Sequence, residues 1–226
     1  HIDRLVEIFN ACWPMYAAMP AVLKDAIERS YQKAGWNLRN SESEKGVFPT
    51  FFDLLDILPG VIEESHYSKD TQSDYVGALC TRVKSLTNGI YGSVFCAEDA
   101  LSDAEQFDCN VVVDLSRVGS METKSLLMGI LVMKLQEYRM CGGEMNSRLR
   151  HVTVLEEAHN LLRKTSAEQS QEGANLQGKS VEMLANAIAE MRTYGEGFII
   201  ADQAPGLLDM SVSYTHLRAH ETSLHL

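Results

Sequence analysis

Three short apolar runs, each closing on acidic or amide side chains, constrain this chain more than any other feature. They are Asn110-Val111-Val112-Val113-Asp114-Leu115, then Val152-Thr153-Val154-Leu155 followed by Glu156-Glu157, then Phe198-Ile199-Ile200-Ala201 followed by Asp202-Gln203. Short runs of β-branched and aliphatic residues between turn signals read as buried strands. Helical patterns separate them. Leu126, Leu127, Ile130, Leu131 and Leu135 mark a helix over 122–140, ended by Cys141-Gly142-Gly143. A second helix starts near Ala158, and a polar linker of Gln, Ser and Gly covers 165–178. Val181, Leu184, Ile188 and Met191 mark a third helix, turned into the last strand by Gly195-Glu196-Gly197. Strands alternating with helices predict an α/β fold built on a parallel sheet.

Residues 1–106 have a different texture and read as mostly helical. Pro20 suits a first helical turn, Leu23, Ala26, Ile27 and Tyr31 share a face, and Gly35 ends that helix. A loop rich in Ser, Glu and Asn follows. Phe51, Phe52, Leu54, Leu55, Ile57 and Leu58 predict a short buried helix ending at Pro59-Gly60. Val76, Leu79, Val83 and Leu86 lie on one side of another, stopped by Asn88-Gly89.

A net charge of −11 argues against a surface coated in basic residues for nucleic acid, and leaves room for a local basic patch. The five cysteines are odd in number, widely spaced and form no CxxC pair, which fits reduced thiols in a cytoplasm. No apolar run reaches the roughly 18–20 residues needed to span a bilayer. The start, His1-Ile2-Asp3-Arg4, has neither an initiator Met nor a signal peptide and reads as the edge of a longer polypeptide.

In open α/β sheets ligands collect beyond the carboxyl ends of the strands. Asp114, Glu156-Glu157 and Asp202-Gln203 occupy those places. An apolar strand ending in two carboxylates, then Ala158-His159, is a Walker B pattern. One carboxylate, Glu156, suits Mg2+ held through its water shell, and the next, Glu157, suits orienting an attacking water. Two solvated acids at a strand end would give the same four residues. Gln203 suits sensing a γ-phosphate or positioning water, or capping a loop. Arg192 suits transition-state charge across a subunit boundary, or simply a cation at a helix C-terminus.

Gly119-Ser120-Met121-Glu122-Thr123-Lys124-Ser125 opens a helix but lacks the spacing of a GxxxxGK(S/T) phosphate loop, since Thr123 stands where glycine must. His159 reads as a local packing or hydrogen-bonding residue, or as a coupler to a neighbour. Arg82 and Lys84 read as solvated cations, with DNA contact as the other reading. Lys164 and Lys179 flank the polar linker and read as solvated cations, with a linker that faces a channel as the other reading.

Together the segments Asn110–Ser116, His151–Leu162 and Ala189–Pro205 with Leu208-Asp209 resemble the HerA/FtsK branch of P-loop ATPases, in particular bacterial HerA-like ATP-binding proteins. The resemblance covers roughly residues 107–212. It implies a RecA-like P-loop NTPase core, incomplete here, with 1–106 as a helical insertion between the Walker A and Walker B regions. It implies ATP and Mg2+ as cofactors, a hexameric ring, DNA as the translocated substrate, and a partner nuclease as a further associate. On this chain it assigns Glu156 and Glu157 to Walker B, Gln203 to the position after the sensor strand and Arg192 to a finger. Glu156 stands where Asp is usual. Walker A is expected upstream of His1, so this segment alone is not expected to hydrolyse ATP. A nucleotide-binding scaffold, or an ATPase driving protein or conjugative transfer, fits the same residues. Residues 213–226 depart from the family and read as a non-native tail, and the spacing of its His216, His220 and His225 is not taken as a metal site.

Overall fold

The computed structural model describes residues 1–13, 15–97, 101–142, 144–163 and 171–209, with 171–177 and Pro205 described by backbone alone. Lys164, the linker up to residue 170, and the tail with its three histidines lie outside the described residues. The chain divides into two compact units, His1–Val6 with Met15–Ser102, and Glu7–Pro14 with Asp103–Leu226. The first helix, α1 (Ile2–Cys12), is shared between them.

The first unit is helical. Pro20 sits in the first turn of α2 (Met19–Lys33), which buries Leu23, Ala26 and Ile27. Gly35, at φ +94°, releases the chain into a small antiparallel hairpin, β1 (Trp36–Asn37) and β2 (Glu42–Ser43). At the start of α3 (Phe51–Glu64), the Asp53 carboxylate accepts the Thr50 N–H at 2.7 Å. This helix does not stop at Pro59. Pro59 forfeits one backbone hydrogen bond, but Val61 and Ile62 beyond it are buried, and their burial carries the helix through.

α4 (Lys69–Tyr75), a π-helical turn (Val76–Cys80) and α5 (Thr81–Thr87) then run end to end, followed by α6 (Gly89–Phe95). The wide π turn shifts the register of the apolar stripe. Leu79, Val83 and Leu86 are buried as expected, whereas Val76 is exposed.

The second unit holds α7 (Asp103–Phe107), α8 (Met121–Gly142), β3 (His151–Glu156), α9 (Gln171–Met191) and β4 (Glu196–Ala201). β3 and β4 pair in parallel, with His151 opposite Glu196 and Glu156 opposite Ala201. α9 is the crossover between them, and Val181, Leu184, Ile188 and Met191 are its buried stripe. Its backbone begins at Gln171, inside the stretch expected to be linker. Only one turn of 3-10 helix, Ala158–Asn160, follows β3 where a longer helix was expected. Leu161 and Leu162 are buried straight after it, and the Asp209 N–H donates to the Leu162 carbonyl at 2.9 Å.

Asn110–Leu115 is not the buried strand its residues predict. It pairs with no strand among the described residues, and Val112 is 93 % exposed. β-branched residues favour a strand only where a neighbour pairs with them and a layer covers them. Neither condition holds here. The outward face of the β3–β4 pair is likewise open, with Val152, Val154 and Ile199 exposed. Parallel sheets are ordinarily covered on both faces.

Candidate active site

The matched register of β3 and β4 ends both strands at one level. Beyond that level the chain is tied across. The Glu157 N–H donates to the Ala201 carbonyl at 2.9 Å, continuing the ladder one residue past β3. Glu157 itself then turns left-handed, at φ 52°, which is uncommon for a residue with a side chain. Such backbone costs on the order of 1–3 kcal/mol and persists where its surroundings over-determine it.

The next tie is His159 to Asp202. The Asp202 carboxylate accepts the His159 backbone N–H at 2.8 Å, and His159 Nδ1 lies 3.0 Å from both of its oxygens. A carboxylate can only accept, so Nδ1 carries the proton. Asp202 also accepts the Ala204 N–H at 2.7 Å. Burial pushes the Asp202 carboxyl upward, but these N–H groups and the imidazole outweigh it and hold its pKa below the ordinary range. His159 Nδ1 is 3.6 Å from Glu157 Oε2, so one imidazole spans the two strand tips.

Of the residues expected at the site, the structure therefore brings Glu156, Glu157, Asp202 and Gln203 to one end of the strand pair. Glu156 and Gln203 are exposed there, and Glu156 makes no ion pair among the described residues. Asp114 is not joined to this edge. Its carboxylate accepts the Ser116 N–H at 2.8 Å within its own turn. Arg192 lies at the opposite end. It precedes β4, and six residues at ~3.3 Å each put it roughly 20 Å from the strand tips. A finger role for Arg192 is thereby confined to a neighbouring molecule's site.

The acidic tips fit Mg2+ held through water. The cation prefers hard oxygens and keeps several waters, with substrate phosphates supplying other ligands. Among the described residues no three His, Cys, Asp or Glu side chains converge into a direct metal cage. Nor do Gly119–Ser125 cradle a phosphate. The Ser120 hydroxyl accepts the Thr123 N–H, capping α8 with its own side chain. Glu156 would hold the hydrated metal, which would supply charge neutralisation at the phosphates. Glu157, fixed by the left-handed turn, would aim a water.

A second polar cluster escaped the sequence reading. Glu196, at the amino end of β4, is fully buried. Its carboxylate takes Arg139 Nε at 2.9 Å, the Thr153 hydroxyl at 2.7 Å and His151 Nδ1 at 2.8 Å. Arg139 also reaches Asp108 at 2.6 Å and the Phe107 carbonyl at 2.5 Å. Burial lowers the Arg139 pKa, but the two carboxylates outweigh it and the net shift is upward. This cluster sits at the amino-terminal end of the strand pair, away from the acidic edge, and ties α8 to both strands.

No protein-family model matches the chain, and neither a curated protein nor a solved structure is significantly similar to it. No described helix is long and apolar enough to cross a membrane.

Proposed function

We propose that this chain is part of an ATP-hydrolysing motor of the HerA/FtsK kind, with a RecA-like core that takes DNA as its translocated substrate. The supporting observation is the shared edge where Glu156-Glu157 and Asp202-Gln203 meet, latched by His159 and Asp202. In this reading Glu156 serves Mg2+, Glu157 the attacking water, and Gln203 the γ-phosphate. The phosphate loop comes from elsewhere in a longer polypeptide, and Arg192 serves the site of the next subunit in a hexameric ring. A partner nuclease is a further associate.

The test is Glu157→Gln in the longer polypeptide. ATP should be retained while turnover falls by at least 100-fold, on the order of a lost general base. Unchanged hydrolysis would remove Glu157 from the mechanism and favour a nucleotide-binding scaffold. Stimulation of ATP turnover by DNA supports translocation on DNA. Its absence with every DNA form points instead to a protein or conjugative substrate.

A further inference from the structure

The left-handed backbone at Glu157 fixes where its side chain leaves the chain, not where its carboxylate ends. A glutamate side chain turns about several bonds, and this one is 46 % exposed. A group that aims a water must be held to within about 0.5 Å. Among the described residues the Glu157 carboxylate has one ion-pair partner, His159, whose Nδ1 lies 3.6 Å from Oε2.

That imidazole is itself fixed. It is only 14 % exposed, and Asp202, 3 % exposed, takes both the His159 backbone N–H and the Nδ1–H. The turn that carries the ring is pinned as well. The Asn160 N–H donates to the Glu157 carbonyl at 2.9 Å, and the Ser125 hydroxyl of α8 donates to the Asn160 carbonyl. A latch between the strand tips would be complete without the ring, because Asp202 already accepts the backbone N–H groups of His159 and Ala204. The ring adds a donor on the side of Glu157. A rigid donor thus stands beside a flexible acceptor.

We propose that His159 is a positioning residue for Glu157. Asp202 holds the ring, and the Nδ1–H, shared between Asp202 and Glu157 Oε2, turns the Glu157 carboxylate so that Oε1 is left for the water. At 3.6 Å the contact is longer than a hydrogen bond, and such contacts tighten when a site fills. This role rests on the nucleotide reading, in which Glu157 orients the water.

Two measurements test it, and the first needs no nucleotide. Nitrogen NMR of the His159 ring in the purified chain should find the proton on Nδ1, and Glu157→Gln should shift that resonance. An unmoved Nδ1 signal would overturn the proposal. The second is ATP turnover in the longer polypeptide. His159→Ala should lower kcat by roughly 10-fold or more, with KM for ATP unchanged. His159→Asn, whose amide nitrogen is bonded to Cγ as Nδ1 is, should recover most of that loss. His159→Gln, whose nitrogen lies one bond farther out, should not. In a Glu157→Gln background none of the three should lower kcat further, because the carboxylate they act through is gone. A His159→Ala enzyme that turns over like the parent would overturn the proposal and leave Glu157 in its role. So would an equal loss in both backgrounds, which marks a role in folding alone. If His159→Ala does not fold, the other two variants decide, and equal kcat for Asn and Gln overturns the proposal. If Glu157→Gln itself turns over like the parent, the nucleotide reading falls and the role of His159 falls with it.

Discussion

Asp202 holds His159 by both its backbone N–H and its imidazole, so the tip of β4 and the turn after β3 move as one piece. Removing the carboxylate should free both ends. Asp202→Ala strands the His159 and Ala204 N–H groups, and about 1.5–3 kcal/mol of stability should be lost. Urea unfolding reads this directly, and a loss within error of zero would mean that the latch contributes nothing to folding.

The same carboxylate sets a pH dependence. Its folded pKa lies below the ordinary value of 3.8, so its contribution is complete above that value. It fades as pH falls through the lower folded pKa. The stability gap between the parent and Asp202→Asn should be full near about pH 7 and shrink toward about pH 3. A gap that widens in acid would reverse the sign of the shift.

The Glu196 cluster should behave as a buried ion pair. Arg139→Ala leaves a buried carboxylate short of its main partner, which costs about 3–5 kcal/mol. Added salt should hardly change that loss, because buried pairs are poorly screened. The double replacement Arg139→Met with Glu196→Leu should recover part of it. Thermal melts at low and high salt compare the variants, and a salt-sensitive loss would mean that water reaches the pair.

Two neighbouring glycines should respond oppositely to alanine. Gly195 has φ +82°, and a Cβ there would sit 2.5 Å from the Arg148 carbonyl oxygen, so Gly195→Ala should cost about 1–3 kcal/mol. At Gly197 the tight contact is the exposed tip of Leu149, at 2.9 Å, which can swing aside. Gly197→Ala should be near neutral. Equal melting temperatures for the two variants would contradict the left-handed turn before β4.

Thiol chemistry should separate the cysteines. Cys12 is buried, and burial together with the Glu122 charge pushes its thiol up to about 12. At about pH 8 it should resist maleimide until the chain unfolds, whereas exposed Cys109 and Cys141 label quickly. Mass spectrometry of labelled peptides counts them, and early labelling of Cys12 would show that α1 opens in the native state.

Much of the second unit was legible because its signals are local. β3, β4 and the buried stripe of α9 each declare themselves within a few residues, and so do the acidic tips. Other features depended on what lies across space. Arg139 and Glu196 are 57 residues apart, and neither has a pattern around it. His159 stands two residues after Glu157, and Asp202 directly precedes Gln203, so both flank the expected site. Their pairing needs the register of the two strands. Asn110–Leu115 misled for a related reason. Three valines in a row announce a preference for pairing without supplying a partner. Pro59 misled in the opposite sense, because a local helix breaker lost to the burial of Val61 and Ile62.

The left-handed backbone at Glu157 sets folding against the proposed chemistry at one position. Glycine would sit there at ease, so Glu157→Gly should raise the melting temperature while removing the carboxylate. A library sorted for robustness alone would enrich that change, and one sorted for turnover would purge it. The opposed enrichments at residue 157 would register how much backbone tension the proposed water-orienting group tolerates to hold its aim.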